Sequence, residues 1–174
     1  MKLKNQLTLI IAVLFLVGGC GYTTKTEMPA GIKTIYVPTF TNQIEIENLY
    51  TYRGGLETDI TNAIIKRFLF DGNLKVVNDP DKADATLKGE LKSFFQNPLR
   101  FNQDEEIEEV RVFLQVSIKL IDNRTGKVLI EEPSMVARDQ RFLVGPTARS
   151  QGQSIEKITD DLARFVVDRI VEDW

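Results

Sequence analysis

Histidine is missing from all 174 residues, and cysteine occurs once, at Cys20. Serine–histidine triads, cysteine–histidine dyads and zinc sites therefore lack their parts, and no disulfide is expected within the chain. Positive charge is in short supply: 22 Lys and Arg stand against 25 Asp and Glu, a formal net charge of -3. General nucleic-acid binding wants a basic surface, so no nucleic-acid partner is expected. An apolar run of bilayer length is missing as well. Leu7–Val17 is apolar apart from Thr8, far short of the ~20 residues that a spanning helix needs. No internal repeat and no low-complexity stretch is visible. What is present is an ordinary globular composition, 43% hydrophobic and 27% charged. The length suits one domain with a sizeable core.

The N-terminus has three zones. Met1–Asn5 is short and positive, Leu7–Val17 is apolar, and Gly18-Gly19 is small. That is the layout of a secretory signal over residues 1–19. Leu16-Val17-Gly18-Gly19-Cys20 resembles the bacterial lipobox: Leu, an apolar residue, a small residue, Cys. The resemblance implies that Cys20 becomes the first mature residue, with a diacylglycerol on its sulfur and a further acyl chain on its amine. Several acyl chains make an anchor stable where one would be marginal. Gly21 follows rather than Asp, which under the same resemblance favours the outer membrane, facing the periplasm. The plainer alternative is a chance cysteine behind an ordinary signal peptide. Loss of Lys2 and Lys4 with the signal would leave 20 basic and 25 acidic residues, a net of -5. Residues 20–31 are polar, with Pro29, Ala30 and Gly31 at their end, and read as a tether. Residues 32–174 read as one domain.

Within that domain, Ile32–Phe40 alternates and is rich in β-branched residues, so it reads as a strand that Pro38 ends. Thr39–Leu49 reads as a polar loop. Leu56, Ile60, Ala63, Ile64 and Phe68 fall on one face at helical spacing, and predict a helix over about 52–70. Gly54-Gly55 is costly for a helix interior, so its first turn is expected to fray. Asp71-Gly72-Asn73 supplies the stop. Leu74–Val77 reads as a short strand, and Ala83–Phe95 and Val110–Ile121 as alternating ones. Gln96–Glu109 between them reads as a long loop with an acidic run, Asp104-Glu105-Glu106. Asp122–Gly126 is a hairpin turn. Val128–Phe142 is the return strand, which Pro133 places at an edge or a bulge. Ile155, Ile158, Leu162, Phe165, Val166 and Ile170 predict a last helix; these apolar stripes read as core.

The expected fold is α+β: a two-layer sandwich, with a mostly antiparallel mixed sheet of about four strands and two helices on one face. The other sheet face would carry Lys88, Glu90, Lys92, Gln115, Ser117 and Lys119, with Phe113 and Ile121 among them. The carboxylates Glu105, Glu106, Glu108 and Glu109 are the only dense set that could suggest general acid–base work. A solvated acidic loop accounts for them better, so no enzyme, metal or cofactor is expected. The terminal Trp174 either caps the last helix or meets a partner.

Several ordered segments together resemble the lipopolysaccharide-assembly family LptE: "CGY" at Cys20–Tyr22, "IKTIYVPTF" at Ile32–Phe40, the helix at Leu56–Phe70, "ADATLKGEL" at Ala83–Leu91 and "RVFLQVSIKLIDNRTGKVLIEE" at Arg111–Glu132. The resemblance implies a non-enzymatic outer-membrane lipoprotein. Its partner would be an LptD-type outer-membrane β-barrel, which it plugs, helps to fold and helps to pass lipopolysaccharide to the outer leaflet. Lipopolysaccharide carries phosphates, for which arginine is the expected contact. Strand topology gathers Arg100, Arg141 and Arg149 toward one end of the sheet, with Arg138 further down the last strand. Those four are the candidate ligand contacts; the plainer reading of any one is a solvated surface arginine. The opening strand and the "DGNLKVV" segment are also similar to curli-secretion lipoproteins and to activators of cell-wall synthases. Those rivals usually carry further α/β units after the hairpin.

Overall fold

The structure is a computed structural model and describes residues 31–44 and 53–172. The signal peptide, Cys20, the tether up to Ala30, Tyr52 and Trp174 lie outside the described residues. The elements are β1 (Thr34–Tyr36), β2 (Thr41–Asn42), α1 (Leu56–Asp71), β3 (Lys75–Val76), β4 (Ala85–Phe101), β5 (Ile107–Asp122), β6 (Val128–Phe142) and α2 (Gln151–Glu172). One mixed sheet runs in the order β3-β1-β4-β5-β6, with β2 also on β4. The two helices pack against each other, and α2 lies on β5 and β6. This is the expected α+β class, but with six strands rather than about four.

The strand β2, absent from the expected elements, has a local cause. The expected strand at Ile32–Phe40 is cut by Pro38, and pairing with β4 resumes at Thr41, inside the expected loop. Tyr36 pairs with Thr86 and Thr41 with Glu90, so the N-terminal segment uses one residue more than β4 over this interval. The chain bulges there, as a proline in a ladder requires. Phe40 sits at the end of the bulge, and its ring is buried. It lies on Gly89: a Cβ at that glycine would come within 2.1 Å of the ring. The Phe40 amide donates to the Thr61 hydroxyl at 3.0 Å, and that hydroxyl donates to Glu57 O at 2.7 Å. Strand bulge, sheet and α1 are thus pinned at one place.

The helices follow their stripes. Leu56, Ile60, Ile64 and Phe68 are fully buried, each contributing about 1.5–3 kcal/mol by leaving water. The α1 stop is a left-handed Gly72 at φ 75°, whose amide reaches Phe68 O at 3.0 Å. The helix starts at Leu56, after the two glycines rather than before them. In α2, Ile155, Ile158, Leu162, Val166 and Ile170 are buried, but Phe165 is not core: it is 43% exposed. It stands one position off the stripe, under the Arg164 guanidinium at 5.6 Å.

The expected loop at Gln96–Glu109 is also corrected. Both long strands run on, and only residues 102–106 turn. Asn102 Oδ1 accepts from the amides of Asp104 and Glu106, which closes the turn. Pro98 is tolerated because β4 beyond Leu91 has only β5 beside it among the described residues. Pro133 lies on the edge strand β6 and within a bulge, since Val116–Ile118 faces Met135 and Glu132.

The start of α2 is fastened to the sheet by Asp139, a buried carboxylate on β6. Ser154 Oγ donates to it at 2.6 Å, Arg149 at 3.1 Å, and Lys157 Nζ stands at 3.7 Å. Burial alone would push this carboxyl up; the Ser154 hydroxyl, the Arg149 guanidinium and Lys157 outweigh it and hold it below its ordinary value of 3.8.

Two outcomes are expected. Gly89→Ala should destabilise the domain by about 3 kcal/mol, at the upper end of overpacking costs. Phe40→Leu in the same chain should recover part of that loss, read as a coupling energy in a double-mutant cycle. Asp139 contributes stability above its unfolded pKa of about 3.9, and that contribution is lost as pH falls through the lower folded value. Asp139→Asn should therefore cost about 2–3 kcal/mol at pH 7, and the gap to wild type should narrow at pH 3. Equal gaps in urea unfolding at both pH values would remove the charge from the account.

Candidate functional site

Alternation along β6 decides where the candidate arginines point. Ala137 and Asp139 face the helices and are buried, so Arg138 between them faces outward. Arg138 lies opposite Phe113, with its guanidinium 5.7 Å from the ring centre. Phe113 in turn stacks on Phe95, centroids 4.7 Å apart and planes 17° from parallel. Phe95 reaches this face because a bulge at Leu91–Ser93 shifts β4 by one residue. Leu91 and Phe94 are both buried across that bulge. Reading strict alternation from sequence misses it; two adjacent phenylalanines after Ser93 are the signal that could reveal it.

Arg100 belongs to a strand, opposite Glu109 on β5. Its guanidinium stands 3.6 Å from Glu109, whose side chain is buried, and 6.0 Å from the Phe142 ring. Gln140 also donates to Glu109. Arg100 remains 62% exposed. Arg141 and Arg149 meet on the other side. Arg141 pairs in register with the buried Val110 and donates to Gln96 Oε1 at 3.1 Å and to Arg149 O at 3.3 Å. Burial, and then the neighbouring Arg149 charge, lower its pKa. Arg149 donates to Asp139 and to Gln140 O. All four arginines thus lie toward the β4–β5 hairpin end, as the topology implies. They form two groups, Arg100 and Arg138 on one side and Arg141 and Arg149 on the other.

The rest of the outer face is a polar ladder. Ser93 donates to Gln115 at 3.1 Å, Gln115 to Ser134 at 2.9 Å, and Ser117 to Glu90 at 3.3 Å. Lys119 and Glu131 pair at 2.8 Å. The hairpin end adds exposed apolar side chains: Leu99, Phe101 and Ile107, with Val144 just past β6. The carboxylates expected in one acidic loop are divided. Glu105 and Glu106 are exposed at the turn, while Glu109 is buried against Arg100. The outer face thus presents guanidinium, aromatic and amide groups side by side.

Comparison with known proteins bears on the whole fold. A family model described as LptE, lipopolysaccharide-assembly, matches residues 32–174. Among solved structures, a hypothetical protein of Chlamydia trachomatis superposes with a TM-score of 0.55 at 12% identity, covering 80% of this chain and 95% of its own. An uncharacterized lipoprotein B of Nitrosomonas europaea gives a TM-score of 0.52 at 12% identity, covering 80% and 83%. At such identities these two show the fold alone. Among curated proteins no match is found. The family match spans every described strand and helix, and on that extent the chain belongs to the LptE lipopolysaccharide-assembly family.

Proposed function

We propose that this protein is an outer-membrane lipoprotein, held by lipid on Cys20, that plugs an LptD-type β-barrel and helps it deliver lipopolysaccharide to the outer leaflet. The observation that carries the reading is the family match over residues 32–174. The fold suits the task. Barrel lumens are polar inside, and the outer sheet face is a polar ladder around one aromatic pair. β5 has 16 residues and spans roughly 50 Å at the usual strand rise. A hydrocarbon core is only about 30 Å thick, so a sheet of this length projects from a lumen. The tether joins at the start of β1, next to the start of β4 and the β5–β6 turn. The hairpin end lies at the other end of the sheet. A plug held at the periplasmic leaflet therefore sends its arginine end toward the outer leaflet.

In this reading Arg100 and Arg138 contact lipopolysaccharide phosphates directly, with Leu99 and Phe101 flanking Arg100 in the chain for acyl chains. Arg141 and Arg149 add positive charge at the same end. The mature lipidated chain should co-purify with an outer-membrane β-barrel from detergent extracts. Recovery free of any barrel, with normal lipopolysaccharide export in its absence, would overturn the assignment. Arg138→Ala should weaken lipopolysaccharide retention about tenfold, the scale of one charge-assisted hydrogen bond, and leave the urea midpoint nearly unchanged. Arg141→Ala should instead lower the midpoint, because its guanidinium bridges Gln96 and Arg149.

A further inference from the structure

We propose that the anchor-side end of the domain is a membrane-contact surface, with Leu69 and Phe70 entering the headgroup–acyl boundary of the leaflet that holds Cys20. Among the large apolar side chains described as exposed, Phe70 is the most exposed at 81% and Leu69 follows at 66%. They sit side by side in the last turn of α1 and leave apolar surface in water that a bilayer would cover.

Topology places them beside the tether. The chain turns at Gly72 and enters β3, whose Lys75 pairs in parallel with Thr34. Thr34 follows Gly31, the end of the tether, by three residues. Phe70 therefore lies on the end of the molecule at which the chain leaves toward Cys20. Ten residues lie between Cys20 and Gly31, which bounds the distance to the anchor at about 40 Å even when fully extended. Where the sheet projects beneath a barrel, this end lies against the leaflet beside it.

Charge at this end is of both signs. Lys33, Lys66 and Lys75 are exposed around this end. Arg67 lies 5.5 Å from the Phe70 ring centre and 3.4 Å from Asp168. Asp160 and Asp161 line the same groove as Phe70 and Lys66, and Asp71, next in the chain, is engaged by the Asn73 side chain at 2.9 Å. An exposed apolar pair beside the tether fits a phospholipid surface, whose acyl boundary would take both side chains. The inference rests on Cys20 carrying the lipid, as proposed above.

The test uses the full mature chain, lipidated, with Trp174→Phe removing the only native tryptophan. F70W, L69W and V144W are compared on vesicles of phosphatidylethanolamine and phosphatidylglycerol with brominated acyl chains. Val144 is 57% exposed and belongs to the opposite end. F70W and L69W emission should fall by at least about twofold, since interfacial side chains reach 5–10 Å into the boundary, and V144W should not change. A chain that floats with the vesicles while F70W and L69W stay unquenched overturns the contact and leaves the anchor standing. Equal quenching of V144W overturns it as well, because the association then has no preferred end. A vesicle-free dimer that shields F70W assigns the patch to a second copy and overturns it. No acyl group on Cys20 by mass spectrometry, with no flotation, overturns the anchor and the contact together.

Discussion

The bare backbone at Gly89 is the place on which the rest of the molecule is registered. β4 is the strand at which the sheet changes from parallel to antiparallel pairing, with β1 and β2 on one side and β5 on the other. The ring of Phe40 occupies the space that any side chain at Gly89 would need. That contact goes with the bulge between β1 and β2, where the chain has one residue more than β4. The Phe40 amide then fixes Thr61, and so the height of α1 on the sheet. Three elements distant in sequence thus share one reference point, with little freedom to slide.

Bulges do the rest of the positioning. A shift of one residue sends every later side chain to the other face. On β6 the bulge at Pro133–Ser134 turns Met135, Ala137 and Asp139 inward and Arg138 outward. On β4 the bulge at Leu91–Ser93 turns Phe94 inward and Phe95 outward, onto Phe113. Without both irregularities the Phe95–Phe113–Arg138 stack could not form, and Asp139 could not hold the start of α2.

This explains what the sequence could and could not tell. The α1 stripe and the β5 alternation from Val110 to Leu120 were legible because each is buried on one side by an apolar layer. The hairpin end was not legible. Around Leu99, Phe101 and Ile107 the side chains are exposed, so no alternation separated strand from loop. Phe165 misled for the opposite reason: helical spacing admits it, but the stripe is too narrow to cover it. The arginines at one end followed from strand topology alone. Their division between two sides did not, because it depends on bulge positions that Pro133 signals and Ser93 does not.

Charge gives the last connection between fold and surface. The chain is acidic in total, which argues against an anionic ligand until the carboxylates are sorted by burial. Glu109, Asp122 and Asp139 have side chains only 3–4% exposed, and each faces an arginine that is 31–62% exposed: Arg100, Arg124 and Arg149. A guanidinium has five N–H donors, and one carboxylate uses only some of them. The buried acids therefore act as mounts. Each holds an arginine in place from behind and lowers the side-chain entropy its outer donors would lose on further pairing. Net charge alone would have hidden this. Two of the three mounts, Glu109 and Asp139, stand at the hairpin end, where Glu105 and Glu106 are exposed as well, so that end carries charge of both signs.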